Sequence, residues 1–220
     1  MGRIFAIGDI HGCSQTLNKL IFEKIFLTKN DILYFIGDYI DRGPDSKGVI
    51  DCILGLQSDG FKVFPLRGNH EQMMLDSLYD KHAMKLWMDN GGKTTLRSFG
   101  INSLEEIDEK YWSFFHDTML WFNTENYIFV HAGLNFKRKN ILEDKEAMLW
   151  IRDFEPEQPA LEDKIMIHGH TPIELDELLI QTTNCINIDA GCVYKNRPQM
   201  GNLVAIELPS RSFIWQRNCD

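Results

Sequence analysis

The sequence predicts an α/β layered fold. Short, branched apolar runs alternate with amphipathic helical faces through residues 3–66, and each run ends in a Gly or Asp turn signal. Strand patterns return in the last third of the chain.

The first run, residues 3–7, is followed by Leu17, Leu20, Ile21 and Ile25 on one helical face, with Ser14 as N-cap. Residues 32–36 form the second run, and Val49, Ile50, Ile53 and Leu54 repeat the helical pattern after Ser46. Residues 61–66 complete a β-α-β-α-β order. Residues 71–122 read as mostly helical and are rich in Met and Trp. Further strands are expected at 127–130, 164–167, 185–188, 203–206 and 213–215. Residues 155–163 are acidic and carry Pro156 and Pro159, so they read as a loop or lid.

At 220 residues, the chain suits one domain, residues 1–220, with a core that needs no disulfides. Its net charge of −9 argues against a nucleic-acid or membrane-surface binder. No run of apolar residues is long enough for a membrane span, and Gly8-Asp9 interrupts the first run before a secretory signal could form. Five scattered cysteines without a C-x-x-C spacing point to reduced thiols and the cytoplasm.

Five successive strand ends carry Asp, His or Asn beside glycine. They are Gly8-Asp9-Ile10-His11-Gly12, Gly37-Asp38-Tyr39-Ile40-Asp41-Arg42-Gly43, Arg67-Gly68-Asn69-His70-Glu71, His131-Ala132-Gly133 and His168-Gly169-His170-Thr171. Ligands of open α/β sheets bind at the carboxyl ends of strands, and mixed carboxylate, amide and imidazole donors suit Mn, Fe or Zn. Any one fragment is weak evidence: Asn69 with Glu71 also reads as a helix cap and its dipole complement. Their joint occurrence, in order, is what carries weight.

These residues resemble the phosphoprotein phosphatase superfamily of metal-dependent phosphoesterases. Its Gly-Asp-x-His-Gly, Gly-Asp-x-x-Asp-Arg-Gly and Gly-Asn-His-Glu signatures all stand here without substitution. Asn90-Gly91-Gly92, His170-Thr171-Pro172 and Ile188-Asp189-Ala190-Gly191 are similar to the compact branch typified by the bacteriophage lambda phosphatase. The resemblance implies a central β-sandwich of mixed sheets flanked by helices.

It also implies two divalent cations, with manganese expected first and iron or zinc as alternatives. Asp9 and His11 would hold one, Asp38 would bridge both, and Asn69, His131 and His170 would complete the second. His168 competes with His170 for the last position, and the Gly-His-Thr-Pro match favours His170. His70 would be general acid with Asp41 as its partner, while Arg42, Arg67 and Arg152 would contact phosphate. Trp87, Trp112 and Trp121 are read as core packing rather than cleft walls.

The function expected on this resemblance is hydrolysis of phosphoserine and phosphothreonine monoesters, with phosphotyrosine tolerated, by direct attack of a metal-bridging hydroxide. A diadenosine tetraphosphatase is the enzymatic alternative, and a catalytically silent binding module is the alternative outside enzymology. The expected partner is a phosphorylated protein or a small phosphoester, without nucleic acid or membrane. A monomer is compatible with all three readings.

Overall fold

The computed structural model describes residues 2–156 and 158–220. Two mixed sheets pack face to face and helices flank them. The first sheet contains β1 (Ile4–Ile7), β2 (Ile32–Phe35), β3 (Lys62–Pro65), β8 (Asp189–Ala190), β9 (Asn202–Leu208) and β10 (Ser212–Arg217). Its order is β10-β9-β1-β2-β3, and β8 pairs with β9. The second contains β4 (Trp121–Asn123), β5 (Tyr127–Val130), β6 (Ile165–His168) and β7 (Cys185–Asn187) in that order. β1, β2 and β3 are mutually parallel, as are β5, β6 and β7.

Alternation along the strands divides the core. Phe5, Ile7, Leu33 and Phe35 face the helical layer, while Ala6, Tyr34 and Ile36 face the second sheet. From the other side Tyr127, Phe129, Ile167 and Ile186 join this inner layer. Ile128, Val130 and Met166 face outward onto Leu134, Met148 and Leu161. Tyr34 stacks on Phe129 across the sandwich, with ring centroids 3.9 Å apart. Strands covered on both faces read as near-continuous apolar runs, which is why they were legible.

Helices α1 (Ser14–Lys19, continuing as a π-helical turn to Ile25) and α2 (Ser46–Ser58) cover the first sheet. Next come α3 (Asn69–Asp76), α4 (Lys81–Trp87), α5 (Lys93–Phe99) and α6 (Glu109–Asp117). α7 (Lys145–Trp150) precedes a short helix at Gln158–Leu161. Of the expected 155–163 loop, Glu157 lies outside the described residues, and part of the remainder is thus helical. Among the described residues no helix is long and apolar enough to cross a membrane.

The expected strands are present with ends moved by one or two residues. β4 and β8 were not expected, because two or three residues are too few to show a period. Ser14 does not cap α1: its hydroxyl donates to Asp45 (2.6 Å). The free amides of Gln15 and Thr16 instead donate to the Asp220 carboxylate, brought from the far end of the chain.

One ion pair ties β1 to the turn before β2. Asp31 is buried, and its carboxylate accepts from the Arg3 guanidinium, the Arg3 amide and the Thr28 amide. Burial works against its charge, but these donors outweigh burial and hold the carboxyl well below the usual range. Asp31→Asn should therefore cost about 1 kcal/mol at neutral pH, since Arg3 is partly in water. The folded pKa is depressed, so the stabilisation is present above ~4 and is lost as pH falls toward the folded value. Urea unfolding from pH 7 to pH 2 should show the difference between wild type and Asp31→Asn shrinking; a constant gap would contradict the pairing.

Candidate active site

The carboxyl ends of β1, β2, β3, β5 and β6 deliver their loops to one place. The first two loops are laced together by backbone hydrogen bonds: His11 N donates to Asp38 O (2.8 Å) and Gly12 N to Tyr39 O (2.8 Å). The third is tied to the second by Glu71. Its carboxylate, fully buried, accepts from the amides of Asp38 (2.9 Å), Tyr39 (2.8 Å), Ile40 (3.3 Å) and Gly68 (2.9 Å). The approach is close enough that a Cβ on Gly68 would lie 2.1 Å from Asp38 Oδ1. Gly169 is constrained likewise, 2.2 Å from Asp9 Oδ1, which lets Asp9 accept from the His170 amide.

The bent loops carry strain. His11, Asp38, Asp41, Arg42 and His170 all have left-handed φ, between 48° and 71°. Side chains rarely adopt this region unless surrounding bonds enforce it.

Asp38 stands at the centre. His131 Nε2 lies 3.4 Å from its Oδ1, and His11 Nε2 lies 3.5 Å from its Oδ2. Asn69 Oδ1 contacts His131 Nε2 (3.0 Å) and His170 Nδ1 (2.9 Å). The ring nitrogens on the far side of His11 and His131 meet the carbonyls of Ile40 and Ile36. Donation to those carbonyls places the protons on Nδ1 and turns the Nε2 lone pairs inward. His70 Nε2 is 3.9 Å from Asp38, while its Nδ1 is 2.6 Å from Asp41 Oδ2.

Electrostatics separates these histidines into two kinds. Burial pushes His11 and His131 down and takes His170 to about 3. They are neutral at physiological pH, the form in which imidazole acts as a ligand, although the Nε2 of His11 here accepts from Arg42 Nη1 (2.7 Å). Burial acts on His70 too, but the Asp38 and Asp41 carboxylates outweigh it and raise its pKa. Burial alone would raise Asp38, but the imidazoles around it, His131, His70, His11 and His170, lower it, and of these only His70 has a raised pKa itself. Asp9 is pushed up by burial and by the neighbouring Asp189 and Asp38 carboxylates.

The donor set fits divalent cations. Asp38, His131 and His170 bring one ligand atom each within 4.8 Å of one another, as do His11, Asp38 and His70. His170 Nε2 is buried without a hydrogen-bond partner among the described residues, and cations would relieve the crowded carboxylates.

A cavity of about 160 Å³ opens on this centre, lined by Asp38, Arg42, Asn69, His70, Arg152 and His170, with Pro172 and Tyr194. Arg42 and Arg152 thus reach the cavity. Arg67 does not. Its guanidinium donates to Thr118 Oγ1, Gln72 Oε1 and the carbonyls of Phe115, His116 and Thr118. It braces the end of α6, where the Phe115 carbonyl also accepts from Thr118 Oγ1 (2.6 Å). His168 also stands apart: it is buried against Phe154, with its ring nitrogen 3.4 Å from Gly169 O. Two residues went unrecognised as parts of the site. Glu71 was legible only as a helix residue, and Asp189 belongs to a Gly-terminated strand end like the other five.

Comparison with known proteins agrees with this geometry. The chain belongs to the calcineurin-like phosphoesterase family, which it matches over residues 2–204. It is 27% identical to the asymmetrical bis(5'-nucleosyl)-tetraphosphatase PrpE of Oceanobacillus iheyensis, over 96% of this chain and 91% of that one. It is 43% identical to serine/threonine-protein phosphatase 1 of Salmonella typhimurium, but over only 40% of this chain and 38% of that one. A protein serine/threonine phosphatase from Saccharomyces cerevisiae shares the fold, with a TM-score of 0.62 and 15% identity over 100% of this chain and 81% of that one.

Glu71→Gln tests what holds the loops. The amide would present an NH₂ group to amides that need an acceptor, costing about 1–3 kcal/mol in urea unfolding. Calorimetric titration with manganese should show affinity lower by about 10–100-fold. Wild-type affinity in this variant would remove Glu71 from the positioning role.

Proposed function

We propose that the chain hydrolyses phosphoserine and phosphothreonine monoesters, and phosphotyrosine as well, with residues 1–220 acting as one catalytic domain. The observation that carries this reading is the buried His70–Asp41 pair at 2.6 Å. An alkoxide is a poor leaving group and needs a proton as it departs. A phosphoanhydride releases a stable phosphate anion and needs none. A protected acid is thus the device a phosphomonoesterase requires.

Asp9 and His11 would hold one divalent cation, Asp38 both, and Asn69, His131 and His170 the second, with manganese as the ion of first choice. When bound, such cations supply Lewis-acid polarisation of the phosphoryl oxygens and activation of the attacking water. Arg42 and Arg152 line the cavity and present guanidinium forks to the phosphoryl oxygens. Asp41 binds the Nδ1–H of His70, which leaves the acid proton on Nε2, facing the centre. As the bond from phosphorus to the leaving oxygen breaks, its electron pair stays on that oxygen. The oxygen takes the Nε2 proton and leaves as the alcohol, while the water oxygen gives up one proton to solvent and forms the new bond to phosphorus, and His70 regains its proton from solvent.

Hydrolysis of dinucleoside polyphosphates is the second reading. A cleft of about 750 Å³, lined by Phe136, Lys137 and Phe154, meets the phosphate cavity at Arg152. That volume suits a nucleoside phosphate, and the Oceanobacillus relative carries such an activity in its name. The complete donor set speaks against a silent binding module. The five free cysteines support a reducing compartment, the cytoplasm.

Manganese-loaded enzyme should turn over a phosphoserine peptide faster than diadenosine tetraphosphate. His70→Asn should lose about 10²–10⁴-fold on the peptide and far less on the dinucleotide. Preference for the dinucleotide would give the second reading the site, and silence on both would leave only binding.

A further inference from the structure

We propose that Trp87 and Thr95 are positioning residues for catalysis, whose N–H and O–H groups lock the Asp41 carboxylate against His70. This rests on His70 being the general acid.

The Asp41 side chain is completely buried, and three donors converge on it. His70 Nδ1 meets Oδ2 at 2.6 Å. Thr95 Oγ1 donates to Oδ1 at 2.6 Å. The Trp87 indole Nε1 donates at 3.0 Å to each oxygen. The backbone is held as well, since Asp41 N donates to Thr95 Oγ1 (2.9 Å) and Ser46 Oγ (3.1 Å) while its φ is 71°. Both carboxylate oxygens are therefore aimed by partners outside the phosphate cavity.

The Asn90-Gly91-Gly92 run explains how these partners arrive. Trp87 ends α4 and Thr95 lies in the first turns of α5. The chain turns between them at Gly91, whose φ is 119°. A Cβ on Gly91 would lie 2.8 Å from Arg42 N, so the turn presses directly on the loop that carries Asp41 and Arg42. A Cβ on Gly92 would lie 2.6 Å from the Trp87 ring, so the indole packs flush beneath this turn. Core packing alone would be met by any large apolar ring. It does not require the indole N–H to face a buried carboxylate, nor a hydroxyl at position 95. A buried carboxylate left short of donors would turn toward other donors or retain a proton itself. In either case the Nδ1–H of His70 loses its fixed acceptor.

The test compares two leaving groups. General-acid help matters for an alkyl phosphate and little for an aryl phosphate whose phenol is already acidic. In the manganese-loaded enzyme, Trp87→Phe and Thr95→Val should each lose at least about tenfold more kcat on a phosphoserine peptide than on p-nitrophenyl phosphate. KM should change little, and Thr95→Ser should restore the wild-type ratio. In the metal-free protein, the imidazole N–H proton resonance that disappears in His70→Asn should move upfield in Trp87→Phe and Thr95→Val, and stay in place in Thr95→Ser. Thermal unfolding confirms that each variant is folded; Thr95→Val, being isosteric, serves if Trp87→Phe is not. Equal losses on both substrates, with selective loss retained in His70→Asn, would overturn the positioning role and leave the acid reading standing. Equal losses in His70→Asn itself would overturn the acid reading and this proposal with it.

Discussion

The Glu71 carboxylate is the constraint on which the rest of the site depends. It is buried, and it accepts four backbone N–H groups, three from the loop after β2 and one from the loop after β3. Burial and the neighbouring Asp38 push this carboxyl up to about 7, and hydrogen bonds to such a group contribute about 0.5–3 kcal/mol each. The loop they hold contains Asp38, Asp41 and Arg42 in left-handed conformations, which cost about 1–3 kcal/mol apiece. The two quantities are of the same size, so the bent loop persists because a neighbouring carboxylate supports it.

Once Asp38 is placed, it organises the charges around it. Its carboxylate is ringed by His11, His70, His131 and His170, and stays ionised despite burial. Burial keeps His11, His131 and His170 neutral. Only where Asp38 is joined by Asp41 does a histidine rise, and that histidine is His70. The same residue type thus shifts in opposite directions within one site, and the difference lies in the second carboxylate.

The arginines show the same dependence on surroundings. Arg42 and Arg67 are equivalent in sequence terms, each inside a site motif, while Arg152 joins them by family resemblance. Arg42 and Arg152 line the cavity, whereas the guanidinium of Arg67 is taken up by carbonyls at the end of α6 and in the turn beyond. A carbonyl at a helix end competes with phosphate for the same donors, and here the carbonyls hold them.

Local physics made much of this protein legible in advance. Strands buried on both faces announce themselves as apolar runs, and loops that must approach a centre closely announce themselves by glycine beside Asp, His or Asn. These signals were enough for the α/β class, most of the strands and the five strand ends that carry Asp9, Asp38, Asn69, His131 and His170, while the preference for His170 over His168 came from the family resemblance. What they could not contain is the angle at which distant segments meet. That angle turned Glu71 from a helix residue into the tie between two loops, directed Arg67 away from the cavity, brought Asp220 to cap α1, and aimed the Trp87 indole at Asp41. Hydrogen bonds between residues far apart along the chain form only after the two sheets and their helices have packed, so they belong to the tertiary structure alone.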